Sequence, residues 1–212
     1  MASGIQSKTA LTSTSSVIAA GPTAGVKILT VSMVNTSSSL AKIRLALVAT
    51  GDASPQSLNW LEYDSILNSY DVIEKTGIVV PVGYKLMASA DQTVHCVVYG
   101  TEDLSASYFV NNSTQIYATQ ANTLYSGPSA GKIAAGTVSI TNIGAVSAEV
   151  YVYLASNPAS PQAGEYLEWK YVLPPNSVLE RSGILISNGH TLGVQSSVTN
   201  VTAICYGIVD NA

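Results

Sequence analysis

The chain has 212 residues, of which 47% are hydrophobic and only 10% charged, against about 25% charged in an average soluble domain. Nine Lys and Arg against thirteen Asp and Glu give a net charge of −4. That leaves no basic face to neutralise phosphates, which excludes a nucleic-acid binder. Mean hydropathy is positive, +0.28, yet no uninterrupted apolar stretch approaches the ~20 residues that span a bilayer.

Ser, Thr, Ala, Val and Gly dominate, a composition suited to pleated, half-buried surfaces rather than long helices. The first residues, MASGIQSKTALTSTSS, lack a basic stretch followed by an apolar one, so synthesis without Sec export is expected. A surface of small uncharged side chains is cheap to desolvate. It suits extensive protein contact, and equally a β protein with a polar skin.

In chain order, VKILTVSMVN (26–35) and KIRLALVAT (42–50) alternate apolar and polar residues, the mark of strands with one buried face. Turn residues follow each run, at NTSSS, TGDASPQ, NSYD, VGY and SADQ. VIEKTGIVVPVGYKL (72–86) reads as strand, turn and second strand. Val72 and Ile73 supply packing, E-K-T-G closes the polar strand end, Gly77 and Gly83 permit bends, and Leu86 returns to the core. VHCVVYGTED (94–103) closes the first series, and the join is expected near 101–110. The second half continues with AGTVSIT and AEVYVYLA, then VLERSGILISNGHTL (178–192) and VTAICYGIVD (201–210). No stretch has helical periodicity.

The halves are copies. Pro22 and Pro128, Pro55 and Pro161, Glu74 and Glu180, and Gly77 and Gly183 are each separated by 106 positions, while Asn35 and Asn142, and Tyr99 and Tyr206, are separated by 107. Order, spacing and residue type agree along nearly the whole chain. The reading is all-β: two tandem, duplicated antiparallel β-sandwich domains of jelly-roll or Ig-like type, residues 1–103 and 104–212. Each is large enough to bury a core without disulfide or metal.

Candidate chemistry is sparse. Cys96 aligns with Thr202 or Ala203, and Cys205 with Val98, so a duplicated disulfide is disfavoured and both read as buried thiols. His95 points to the strand face opposite Cys96, and His190 replaces Tyr84 in a turn. Neither belongs to a triad. Glu62 and Glu168 (LEY, LEW), with Glu74 and Glu180 (IEKTG, LERSG), could be a glycosidase pair. Alternation with apolar neighbours places Glu62 and Glu168 on a solvent face instead, which is the reading preferred. Trp60 with Tyr63, and Tyr166 with Trp169, stand three apart and should face opposite sides, one member free to stack on a sugar or a protein. Sequons at Asn35, Asn112 and Asn200 carry little weight without a secretory signal. No catalytic, cofactor-binding or metal-binding residue is assigned, and no cofactor is expected.

With the repeat established, the pattern resembles the β-sandwich modules of structural proteins in tailed-phage virions. It rests on Leu61, Glu62, Tyr63, Glu74, Gly77, Gly83, Leu86, Tyr99 and Gly100, and again on Leu167, Glu168, Trp169, Glu180, Gly183, Gly189, Leu192, Tyr206 and Gly207. The resemblance implies a non-enzymatic virion component, made in the host cytoplasm and present in many symmetric copies. Its partners would be other virion proteins, through capsid decoration, a neck or collar, or a tail or baseplate adaptor, with no nucleic acid and no membrane. The alternative is a host-surface glycan-binding module of a phage adsorption apparatus, using the aromatics of WLEY and YLEW.

Overall fold

The computed structural model describes residues 3–112, 116 and 120–212, the side chains of 111 and 112 excepted. The described chain is all-β, with one 3-10 turn at Ala163–Glu165. It divides into two compact units, Met1–Tyr108 and Phe109–Ala212.

The first series of strands is β1 (Ser3–Ala10), β2 (Ser16–Ala20), β3 (Val26–Asn35), β4 (Ala41–Ala49), β5 (Trp60–Leu67), β6 (Val72–Pro81), β7 (Tyr84–Ala90) and β8 (Val94–Asp103). The second is β9 (Ser107–Asn112), β10 (Asn122–Tyr125), β11 (Lys132–Asn142), β12 (Ala148–Ala155), β13 (Tyr166–Leu173), β14 (Val178–Ser187), β15 (Thr191–Ser196) and β16 (Val201–Asn211). They form four antiparallel four-stranded sheets. Their orders are β1-β8-β3-β6 and β2-β7-β4-β5, then β9-β16-β11-β14 and β10-β15-β12-β13. The second pair of orders is the first with every strand number raised by eight. The repeat in the sequence is a repeat of topology.

Alternation explains the strands. From Leu29 to Asn35 every second residue of β3 is buried, with Leu29, Val31 and Met33 facing inward. In the second unit, β11 and β16 of one sheet and β12 and β15 of the other all contribute to one apolar cluster, including Val138, Ile140, Val150, Val152, Leu192 and Ala203. Fully burying a side chain of Val or Leu size contributes roughly 1.5–3 kcal/mol, so such a cluster is the main force holding that unit together. In the first unit Leu29, Met33, Ile43, Leu45, Ile78 and Leu86 are fully enclosed.

Register settles the cysteine alignment. Cys96 pairs with Met33, and Ala203 with Ile140, so these are matching sites; Cys205 pairs with Val138 as Val98 does with Val31. Both cysteines are buried free thiols.

The stretch E-K/R-T/S-G does not end a strand. β6 and β14 run through it, and their pairing slips by one residue between Leu29 and Val31 and between Gly136 and Val138. Gly77 (φ +70°) and Gly183 (φ +71°) take the left-handed conformation that this bulge demands. The turn comes later, at 82–83. Val72, the first residue of β6, is exposed rather than packed.

Candidate functional site

β5 and β6 are consecutive in the chain but lie at the edges of different sheets, and so do β13 and β14. The chain must therefore cross between sheets at 68–71 and again at 174–177. Asn35 pins the first crossing: it is fully buried, and its Nδ2 donates to the carbonyls of Ser39 (2.8 Å), Leu67 (3.1 Å) and Asn68 (2.9 Å). Asn142 repeats the device, donating to Val146 (2.8 Å) and Leu173 (3.0 Å). The large majority of buried polar side chains make hydrogen bonds, and one that makes several ties together the segments it reaches. The sequon asparagine Asn35 is thus a fold determinant enclosed by protein. Asn200 is exposed in a loop, and the side chain of Asn112 lies outside the described residues.

Along the same edge the two recurring motifs meet. Lys75 Nζ on β6 lies 3.0 Å from Glu62 Oε1 on β5, and their side chains are only 10% and 7% exposed. Ser65 also donates to Glu62. In the second unit Arg181 on β14 pairs with Glu168 on β13, with side chains 45% and 16% exposed. The solvent-face reading of Glu62 is therefore wrong: it is buried and clamps one sheet edge to the other. Glu74 is engaged elsewhere, accepting the Tyr99 hydroxyl at 2.8 Å, and that hydrogen bond holds the phenol above its ordinary pKa. Glu62 and Glu74 are thus committed to different partners, which does not favour an acid–base pair.

The aromatic prediction also needs correction. Trp60 and Tyr63 share a face, with ring centroids 5.2 Å apart, and Tyr166 and Trp169 do the same at 4.6 Å. The cause is a pair of bulges on each strand. Leu45 faces Glu62 while Ala46 faces Trp60, and Val152 faces Glu168 while Tyr153 faces Tyr166. The skipped residue shifts the side-chain phase, so residues three apart come to the same side.

What surrounds these rings differs between units. In the first, Arg44 forms a bidentate pair with Asp64 (Nε–Oδ1 2.6 Å, Nη2–Oδ2 3.0 Å) and lies 4.5 Å from the Tyr63 ring centroid and 5.7 Å from that of Trp60. In the second, Tyr151 takes the place of Arg44 and meets the Trp169 ring at 5.1 Å. Trp60 is 8% exposed and Trp169 60% exposed. Trp169, the counterpart of half-buried Tyr63, is the most exposed of the four rings, and Tyr166, the counterpart of Trp60, is half-buried.

The histidines take no part in this geometry. His95 is exposed beside buried Cys96, and His190 Nδ1 lies 3.0 Å from Ser187 Oγ in a turn. Among the described residues no group of three or more His, Cys, Asp or Glu could hold a metal. No helix among them is long and apolar enough to cross a membrane.

One depression escaped the sequence reading. Ser13, Lys42, Arg44, Asp64, Ser89 and Asp91 border a cavity of about 280 Å³ in the first unit.

No protein-family model and no curated relative matches the chain. Among solved structures it is similar to a protein of the Sulfolobus turreted icosahedral virus, at 7% identity and TM-score 0.37, over 97% of this chain and 89% of that one. It is similar to the major capsid protein of bacteriophage PM2, at 9% identity and TM-score 0.35, over 99% and 97%. It is also similar to the PBSX exported protein XepA, at 9% identity and TM-score 0.31, over 99% and 86%.

Proposed function

We propose that this chain is a non-enzymatic structural component of a tailed-phage virion, built of two tandem jelly-roll modules. In this reading it occupies many symmetric sites and packs against neighbouring virion proteins, as capsid decoration, a neck or collar layer, or a tail or baseplate adaptor. The strand orders support the modules, since each unit interleaves its strands across two sheets as a jelly roll does. The paired acid–base clamps support a rigid building block, in which the recurring carboxylates hold sheets together.

The observation that carries the reading is the edge strand β13. It exposes Leu167, Trp169, Tyr171 and Val172, whereas the matching strand β5 exposes only Ile66 among its large apolar side chains. Aromatic and aliphatic groups gathered on one edge of a weakly charged molecule suit a protein interface, where aromatics are enriched and charges depleted. The bulges on β13 and the charge of Lys170 disfavour simple strand addition. The contact is therefore expected through side chains. Particle proteomics tests the proposal: the chain should co-purify with intact particles in fixed stoichiometry, and Leu167→Ser/Trp169→Ser should reduce its incorporation.

A further inference from the structure

We propose that the depression in the first unit binds a neutral saccharide. This inference is independent of any place in a particle, and it concerns a different surface from β13.

The walls carry two cations, Lys42 and Arg44, two carboxylates, Asp64 and Asp91, and the hydroxyls of Ser13 and Ser89. The opposite charges offset one another, so neither a free anion nor a free cation is favoured. A polyol is, because each hydroxyl both donates and accepts: carboxylates accept hydrogen bonds from its O–H groups, and the guanidinium and ammonium donate to its oxygens.

The site is also pre-organised. Asp64 holds the Arg44 guanidinium in one plane through two hydrogen bonds, while Tyr63 supports it from beneath. Asp91 is tethered because its Oδ1 accepts the Lys42 backbone N–H at 2.7 Å. Ser15 Oγ lies 3.3 Å from the buried Ser89 hydroxyl. Groups already ordered lose little entropy when a ligand arrives. The volume, about 280 Å³, falls just below the usual range of ligand pockets and limits the occupant to a single sugar ring.

Divergence between the copies supports a dedicated site. The acid–base clamp and the corner asparagines are repeated, but these four charged positions are not. Glu149, Tyr151, Lys170 and Ser197 stand where the first unit has Lys42, Arg44, Asp64 and Asp91. Even the tether survives with a new acceptor, the Glu149 N–H donating to Ser197 Oγ at 2.9 Å.

The test is a titration of the ¹⁵N-labelled full chain with glucose, galactose, mannose, rhamnose and N-acetylglucosamine, followed by amide shifts. Sodium phosphate and sodium acetate serve as anionic probes. At least one neutral sugar should give saturable shifts confined to Lys42, Arg44, Asp64 and Ser89. Arg44→Met should weaken binding by about tenfold or more. Ser13→Trp, at an exposed rim position of the depression that makes no part of the Arg44–Asp64 pair, should block it while leaving the folded spectrum intact. No saturable shift at these residues with any of the sugars would overturn the proposal. So would stronger binding of phosphate or acetate, or sugar binding that survives Ser13→Trp.

Discussion

Glu62 and Lys75 pair at 3.0 Å across the edges of two sheets, and both side chains are almost wholly enclosed. Their counterparts Glu168 and Arg181 form the same bridge with the arginine nearly half exposed. Removing one partner of an enclosed pair strands a charge, which costs about 3–5 kcal/mol, whereas an exposed pair contributes at most about 1 kcal/mol. Glu62→Ala should therefore lower unfolding free energy by about 3 kcal/mol and Glu168→Ala by less than about 1 kcal/mol. Urea unfolding of each variant checks this. Equal losses would show that enclosure does not set the strength of the clamp.

Asn35→Ala should cost about 2–3 kcal/mol, because the carbonyls of Ser39, Leu67 and Asn68 lose their shared buried donor. Hydrogen exchange should quicken first at residues 67–71, where the chain crosses between sheets. Uniform loss of protection would show that Asn35 does not act at this corner.

Two glycines should respond differently to alanine. At Gly77 a Cβ would meet nothing within 4 Å, so Gly77→Ala carries only left-handed backbone strain, about 1–2 kcal/mol. At Gly100 a Cβ would lie 2.1 Å from the Ile28 carbonyl oxygen, forcing β8 and β3 apart. Gly100→Ala should be the more destabilising by thermal melting. The matching Gly207, 2.2 Å from the Ala135 oxygen, should behave as Gly100 does.

Burial pushes the Cys96 thiol up to about 11 from 9.0. The folded chain thus holds a proton that the unfolded chain releases at lower pH. The associated stability is present in full below pH 9 and is lost as pH rises towards 11, about 2–3 kcal/mol in all. Cys96→Val should flatten stability between pH 9 and 11, measured by urea midpoints. An unchanged slope would assign the alkaline loss to other groups.

The duplication and most strands were legible because both rest on period-two patterning and a constant separation. The side-chain facing near Trp60 and Tyr166 was not, because alternation assumes an unbroken ladder and the bulges break it. Asp64 (φ +49°) and Lys170 (φ +54°) occupy the left-handed region there, with no glycine to announce it. The Glu62 clamp did leave a signal: in both halves the acid of LEY or LEW precedes, by thirteen residues, the base of EKTG or ERSG. The polar depression escaped for the opposite reason. Comparing copies draws attention to what matches, and Arg44 and Asp64 are among the residues that do not.

The proposed structural role is tested most directly by the presence of this chain in assembled particles. Quantitative mass spectrometry of virus particles purified from cells that make it should find the chain at a fixed, multi-copy ratio to the capsid protein. Substituting Leu167 and Trp169 with Ser should lower that ratio without unfolding the chain. Absence from intact particles, with the protein abundant in the same cells, would contradict the structural role.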